Sequence, residues 1–430
     1  MRRWRGLKKL VHAAVDHTTD LVEDAHDLVA RKTIGYVELV PPLAGPARAV
    51  DRLRRLSSSV VFITIHGVNQ MVDFLTDQGL DAVERASSRS GAEPSEGEEA
   101  MTPMRSDAPG TAGWLADAAL GVVNGVIGDY LREQGNGLDL GMSLRHDDRV
   151  LPLEREALAR ALPAATPRVA VFVHGLCCTE WAWCAKAEEH HGDPSVSFGT
   201  LLHRDLGFTP IYVRYNSGLH VSLNGRRLAE LLEELCDSYP VGIEELVLIG
   251  HSMGGLVAHS ACHYASLERR RWLGSLAHVI SLSAPLGGAP LEKVSNVAAS
   301  VLRFFEIPGT RIPARILDAR SDGIKDLRFG YLTDEEWSGH DPDAVLEDNR
   351  REVPLLDGVT YTFVSATITR SPDHPVGFLV GDLMVRAQSA AGPVSRSFAI
   401  ETRHIGGLSH LDVQNHPDVY EQIRRVCASR

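Results

Sequence analysis

From residue 167 to its end the chain alternates short Val- and Ile-rich runs with longer stretches of helical periodicity, and few folds accommodate that rhythm. The runs are RVAVFVH, PIYVRY, ELVLIG, HVISLSA, YTFVSA and SFAIET, and the helical segments include GRRLAELLEELCDSY and MGGLVAHSACHYASLERR. Runs that are apolar at consecutive positions belong to strands buried on both faces, and strands separated by helices pair in parallel. The expected fold class is α/β: a mostly parallel central sheet with helices on both faces.

One junction carries chemistry. In ELVLIGHSMGGLVAHSACHYA the pentad Gly250-His251-Ser252-Met253-Gly254, with Gly255 behind it, stands between a buried strand and a helix. So sharp a strand-to-helix turn strains the serine backbone and exposes its Oγ, and glycines are required where a Cβ would strike the strand or the helix. Ser252 is therefore the expected nucleophile. A serine hydroxyl is weak at neutral pH and needs a general base, oriented by a further group. On such a sheet both lie downstream, the acid before the histidine.

After SFAIET come His404, His410 and His416. His416 precedes Pro417 at the apparent start of the last helix, where a capping role suffices, and His404 lies close to the strand end. His410, in the glycine-containing loop between, is best placed to reach Ser252. For the acid, Asp373 sits in a Pro-flanked turn, whereas Asp382 lies between Phe378-Leu379-Val380 and Met384-Val385, which would bury its carboxylate. A buried carboxylate holds an imidazole more firmly, so Asp382 is preferred.

An acyl-transfer intermediate also needs two fixed N–H donors, one from the residue after the serine and one from the loop after an earlier strand. Met253 supplies the first. Two His-Gly pairs compete for the second, FITIHGVNQ (62–70) and VAVFVHGLCC (169–178). The later one stands one strand and one helix ahead of the elbow strand, as required, and assigns Leu176. The earlier one lies upstream of a linker, and Val61, Ile65, Val68, Val72 and Leu75 recur at helical spacing, so it reads as an amphipathic helix.

The motifs VFVHGL, IGHSMGGL, SLSAPLGGAPLE, GDLMVRAQSA and GLSHLDVQNHPDVY resemble the α/β-hydrolase superfamily of serine esterases and lipases. In particular they resemble the bacterial lipase-like branch related to GPI-inositol deacylases. The likeness covers roughly residues 140–428 and implies Ser252 as nucleophile, Asp382 as acid, His410 as base, and Leu176 and Met253 as oxyanion donors. It departs from the family pattern where Leu383 stands for the usual glycine and SAPLGG for T-P-H-x-G.

The remaining expectations concern organisation and partners. Residues 1–84 form N-terminal amphipathic helices, 85–113 a Ser-, Gly-, Glu- and Pro-rich linker, 114–139 a helix packing on the core, and 140–430 the hydrolase domain. MSLRHDDRVLPL reads as a hairpin about Asp147-Asp148. A lid insertion is expected at about 288–355, where Phe304 and Phe305 lie on an apolar stripe. With Trp181 and Trp183 they are the substrate-contact candidates, ordinary core packing being the plainer reading. Glu188, Glu189, His190, His191 and Asp193 match no metal signature and read as a solvated loop, so no metal or cofactor is expected.

A formal net charge of −12 argues against a nucleic-acid partner. MRRWRGLKKL carries five cations but Asp16, Asp20, Glu23 and Asp24 follow, so no signal peptide is expected. Six cysteines without a C-x-x-C pair suggest a reduced, cytoplasmic protein. Its N-terminus packs on the body of the protein or, alternatively, lies on the inner face of the membrane. The expected activity is hydrolysis of an apolar or lipid-like carboxylic ester through an acyl-enzyme. Acyl transfer or thioester cleavage with the same triad, and a catalytically silent lipid-binding scaffold, are the alternatives.

Overall fold

The Val- and Ile-rich runs become strands whose side chains alternate between two apolar cores, one on each face of a single sheet. The computed structural model describes residues 112–288, 321–340, 348–367, 369 and 400–428. Its strands are β1 (Met142–His146), β2 (Arg149–Val150), β3 (Arg168–Val173), β4 (Thr209–Tyr215), β5 (Glu245–His251), β6 (Leu276–Leu282), β7 (Thr360–Thr367) and β8 (Ile400–Gly406). Their order across the sheet is β2-β1-β4-β3-β5-β6-β7-β8. Pairing is parallel from β4 to β8, while β1 runs antiparallel to both β2 and β4.

The helices are α1 (Ala112–Glu133), α2 (Arg155–Ala161), α3 (Ala187–His191), α4 (Phe198–Leu206), α5 (Val221–Ser238), α6 (Met253–Glu268), α7 (Asp322–Leu327), α8 (Asp334–Trp337) and α9 (Pro417–Cys427). Val169, Val171 and Val173 of β3 join one core with Leu228, Leu232 and Leu235 of α5, Leu256 and Val257 of α6 and Val122 and Val126 of α1. Ala170 and Phe172, pointing the other way, join a second core with Phe198, Leu201 and Leu202 of α4 and Val419, Ile423 and Val426 of α9. The period of two along a strand thus decides which helix each residue meets, and helices cover both faces. Of the two compact units into which the chain divides, the larger holds this sheet. The described residues of the smaller are Gly135–Leu138, a turn in which the Leu138 N–H donates to Asn136 Oδ1 at 3.0 Å.

The hairpin expected about Asp147-Asp148 is present. Both residues are left-handed, with φ of 43° and 62°, the backbone a two-residue turn between twisted strands needs. The last strand differs from the sequence reading. Instead of ending at Thr402, β8 continues pairing with β7 as far as Gly406 opposite Thr367. It is the sheet edge, where Thr402 and Arg403 are exposed and Glu401 and His404 half-buried, so its polar residues read as loop residues in the sequence.

Strands β3 and β5 are neighbours although β4 lies between them in sequence, so the chain leaves β3 toward one edge and returns on its other side. The carboxyl ends of strands at such a switch point flank a crevice where ligands bind.

His259 of α6 is buried against the rings of Tyr361 and Phe363, its Nε2 3.1 Å from Ser281 Oγ. Burial pushes its pKa down from 6.5 to about 4. Between those pH values the unfolded chain binds a proton here that the native chain does not, so native stability falls as pH drops through this window. In His259→Gln, urea-unfolding midpoints measured from pH 6.5 down to pH 4 are expected to decline less steeply than in wild type.

Candidate active site

The crevice is built from three loops, each leaving the carboxyl end of a strand. At the end of β5, Ser252 takes φ 53° and ψ −125°, a conformation that costs a non-glycine residue about 1–3 kcal/mol. The glycines around it make the turn feasible. A Cβ on Gly250 would strike the Gly254 carbonyl, and one on Gly254 would strike the Val173 and His174 carbonyls. The Ser252 N–H is held by the Leu282 carbonyl at 2.9 Å. Ser252 keeps only 6% exposure, so the turn does not expose the hydroxyl as freely as a bare strand-to-helix turn would suggest. Gly175 stands against it, where an added Cβ would lie 3.1 Å from Ser252 Cβ.

The second loop follows β3. The Tyr215 N–H points at His174 Nε2 at 3.4 Å, which makes that nitrogen an acceptor and puts the proton on Nδ1, donated to the Gly175 carbonyl at 2.8 Å. Burial supports this neutral form, pushing the His174 pKa down to about 4. The Cys178 N–H also donates to the Gly175 carbonyl, at 3.3 Å. In a trans peptide the carbonyl and the next N–H point in opposite directions, so a clamped Gly175 carbonyl fixes the direction of the Leu176 N–H. Met253 opens α6, where the first N–H groups have no partner within the helix and the helix dipole favours negative charge.

The third loop follows β8 and carries His410, which is 3% exposed. Its carbonyl lies 3.0 Å from His251 Nε2, and the two imidazoles stand 4.7 Å apart. Gln414 Nε2 lies 2.6 Å from His251 Nδ1. Ser252, Gly175 and the His410 loop therefore meet at one place, at the ends of three strands.

The sequence pattern of the alpha/beta hydrolase family matches residues 170–423, which span the whole of this arrangement. The chain belongs to the alpha/beta hydrolase family. Among solved structures it is similar to the mature lipase BlEst2 of Bacillus licheniformis, at 18% identity over 62% of this chain and 93% of that one, with a TM-score of 0.38. It is similar also to a thermophilic esterase of Thermogutta terrifontis (18% identity, 61% and 89% covered, TM-score 0.33). A third is lipase B of Aspergillus fumigatus (13% identity, 59% and 50% covered, TM-score 0.36). No curated protein matches the chain in sequence.

Other sequence candidates of this hydrolase fall as follows. His404 lies inside β8, its Nε2 3.0 Å from Thr367 Oγ1 on β7. His416 caps α9, its Nδ1 accepting the Asp418 N–H at 3.2 Å. Of the stretch 188–193, expected as a loop, Glu188–His191 lie in the short helix α3, closed by Gly192 at φ 72°, and Asp193 follows it exposed. Among the described residues no group of side chains is arranged to hold a metal. Trp183 is buried against Phe172 and 6.4 Å from the His251 ring. Trp181 is 8% exposed and turns its indole N–H toward Asp117 Oδ2 at 3.5 Å. Asp373, Asp382, Phe304, Phe305 and residues 62–70 lie outside the described residues.

Two supports of the site escaped the sequence reading. The first is a glycine face on α1. Added Cβ atoms on Gly121, Gly125 and Gly128 would strike Cys178, Cys177 and Asn216, so the helix crosses directly on the loops after β3 and β4. The signal was available, since positions 121, 125 and 128 share one helix face. The second is a buried charge network. Arg214 grips both Glu180 oxygens at 2.6 Å and Asp117 Oδ2 at 2.7 Å, and Arg145 pairs with Glu180 as well. All four side chains are at most 6% exposed. Burial alone would raise the Glu180 pKa, but the two arginines outweigh it and hold the carboxyl below its ordinary range. Glu180 follows the Leu176 loop directly, so the network anchors that loop to α1, β1 and β4.

Removing one partner leaves buried charge uncompensated, which costs about 3–5 kcal/mol. Arg214→Ala is therefore expected to lose about that much stability in urea unfolding. Loss within about 1 kcal/mol, the range of an exposed pair, would show that the network is solvated.

Proposed function

We propose that this chain is a serine hydrolase that cleaves carboxylic esters. Ser252 Oγ attacks the ester carbonyl, His410 takes its proton and passes it to the leaving alkoxide, and water then releases the acyl group from Ser252 with His410 again as base. Asp382 orients His410, an assignment that rests on the resemblance of GDLMVRAQSA to the family's acid loop. The N–H groups of Leu176 and Met253 receive the negative oxygen of the tetrahedral intermediate. The observation that carries this reading is the strained Ser252 with Gly175 pressed against it and the His410 loop bonded to its neighbour His251.

An apolar, lipid-like acyl group is the proposed substrate class. Leu411, next to His410, is 52% exposed, and Trp181 directs its polar edge toward Asp117. In sequence, Phe304 and Phe305 fall on an apolar stripe within the expected lid insertion, which is in keeping with an apolar substrate. The resemblance to the branch related to GPI-inositol deacylases supports the same class.

Hydrolysis of p-nitrophenyl butyrate, octanoate and laurate by wild type and Ser252→Ala tests the proposal. The variant is expected to lose activity by about 10³-fold or more. In wild type kcat/KM should rise from butyrate to octanoate, since each buried methylene contributes about 0.8 kcal/mol. Equal rates for wild type and Ser252→Ala would refute the reading. Asp382→Asn is expected to be severely impaired and Asp373→Asn nearly unaffected; the reverse would move the acid. Transfer of the acyl group to an added alcohol in preference to water would make the enzyme an acyltransferase.

A further inference from the structure

We infer that His251 and Gln414 are positioning residues that lock the His410 loop to the nucleophile elbow, an inference that rests on the proposed roles of Ser252 and His410. The polarity of the hydrogen bonds follows from chemistry alone. His251 Nε2 lies 3.0 Å from the His410 carbonyl, which can only accept, so Nε2 carries the proton. In the neutral ring Nδ1 is then the acceptor, and it faces the Gln414 amide nitrogen, which can only donate, at 2.6 Å. The chain therefore runs from the Gln414 N–H to His251 Nδ1 and from the His251 Nε2–H to the His410 carbonyl.

Both ring nitrogens of one histidine are thus engaged by the loop that carries the base. His251 directly precedes Ser252, so its ring is fixed to the elbow by one peptide link, and the carbonyl it holds belongs to His410 itself. The bond sets the position of the Cα from which the imidazole hangs. The Gln414 side chain also faces Cys178, in the loop that carries Leu176, where it offsets part of the rise that burial gives the thiol pKa. A single amide thereby touches the loops that follow β3 and β8 and, through His251, the end of β5.

The outer part of the same loop has separate anchors. Lys186 pairs with Asp412, Asn415 Nδ2 donates to the Val196 carbonyl at 2.9 Å, and His191 Nε2 meets the Asn415 carbonyl at 3.1 Å. Loss of the His251 bond should therefore free the inner end of the loop while the fold persists. Misplacing a reacting group by about 1 Å can cost 10²-fold in rate, and a misplaced base affects turnover rather than substrate binding.

The test uses full-length His251→Leu, His251→Gln, Gln414→Met and Ser252→Ala. For wild type and the His251 and Gln414 variants, kcat and KM are measured on a p-nitrophenyl ester with active sites counted at the end point of fluorophosphonate labelling; for Ser252→Ala activity is taken per protein, and the urea midpoint is recorded for all. His251→Leu and Gln414→Met are expected to lower kcat per labelled site about 10- to 100-fold with KM little changed. His251→Gln, whose amide N–H still reaches the His410 carbonyl, should recover most of that loss. Unchanged kcat per labelled site in His251→Leu and Gln414→Met would overturn the inference. So would losses that follow the urea midpoint and are not relieved in His251→Gln. Ser252→Ala as active as wild type would instead refute the hydrolase reading itself, whereas an inactive Ser252→Ala beside a fully active His251→Leu would refute only the positioning role.

Discussion

Close backbone approach at the carboxyl ends of β3 and β5 is the constraint on which the rest of the molecule depends. Gly254 lies so near the Val173 and His174 carbonyls that no side chain fits between α6 and β3, and Gly175 is close to Ser252, where an added Cβ would lie 3.1 Å from Ser252 Cβ. Because these positions lack a Cβ, the elbow and the Leu176 loop can share one small volume. The strain at Ser252, about 1–3 kcal/mol, is no more than one buried Leu or Val contributes, about 1.5–3 kcal/mol. Strand β5, buried along its whole length, and its equally buried neighbour β6, whose Leu282 carbonyl accepts the Ser252 N–H, can hold it.

Around that contact the protein fixes direction by hydrogen bonds whose polarity is forced. His174 accepts from Tyr215 and so must donate to the Gly175 carbonyl, which aims the Leu176 N–H. Glu180, just beyond, is held by two arginines that reach it from the adjacent strands β1 and β4. Buried ionic networks of this kind contribute little net stability but are costly to break, so they hold a loop in one place. Rigid scaffolding beneath mobile chemistry is what a preorganised oxyanion site requires.

The central strands were legible in the sequence because burial on both faces leaves runs of Val, Ile and Leu that few other structures produce. The elbow was legible because glycine at 250, 254 and 255 has a steric reason. The end of β8 was not, since on this edge strand consecutive polar residues, Thr402 and Arg403, face solvent. The Arg145–Arg214–Glu180–Asp117 network was hidden for a different reason: its members are far apart in sequence, and an arginine in a strand reads as surface. His251 and Gln414 were hidden because their meaning lies in a contact between residues 163 positions apart. The choice of VFVHGL over FITIHGVNQ used strand order and the helical stripe of the earlier segment; β3 lies beside the elbow strand, and residues 62–70 lie outside the described residues.

The claim that Ser252, Leu176 and Met253 form one reacting centre is tested most directly by a crystal structure of the enzyme after reaction with an alkyl fluorophosphonate. The account predicts a phosphorus–oxygen bond to Ser252 Oγ, with the phosphoryl oxygen about 2.7–3.1 Å from the Leu176 and Met253 backbone nitrogens. An adduct on another residue, or a phosphoryl oxygen turned away from both nitrogens, would contradict it.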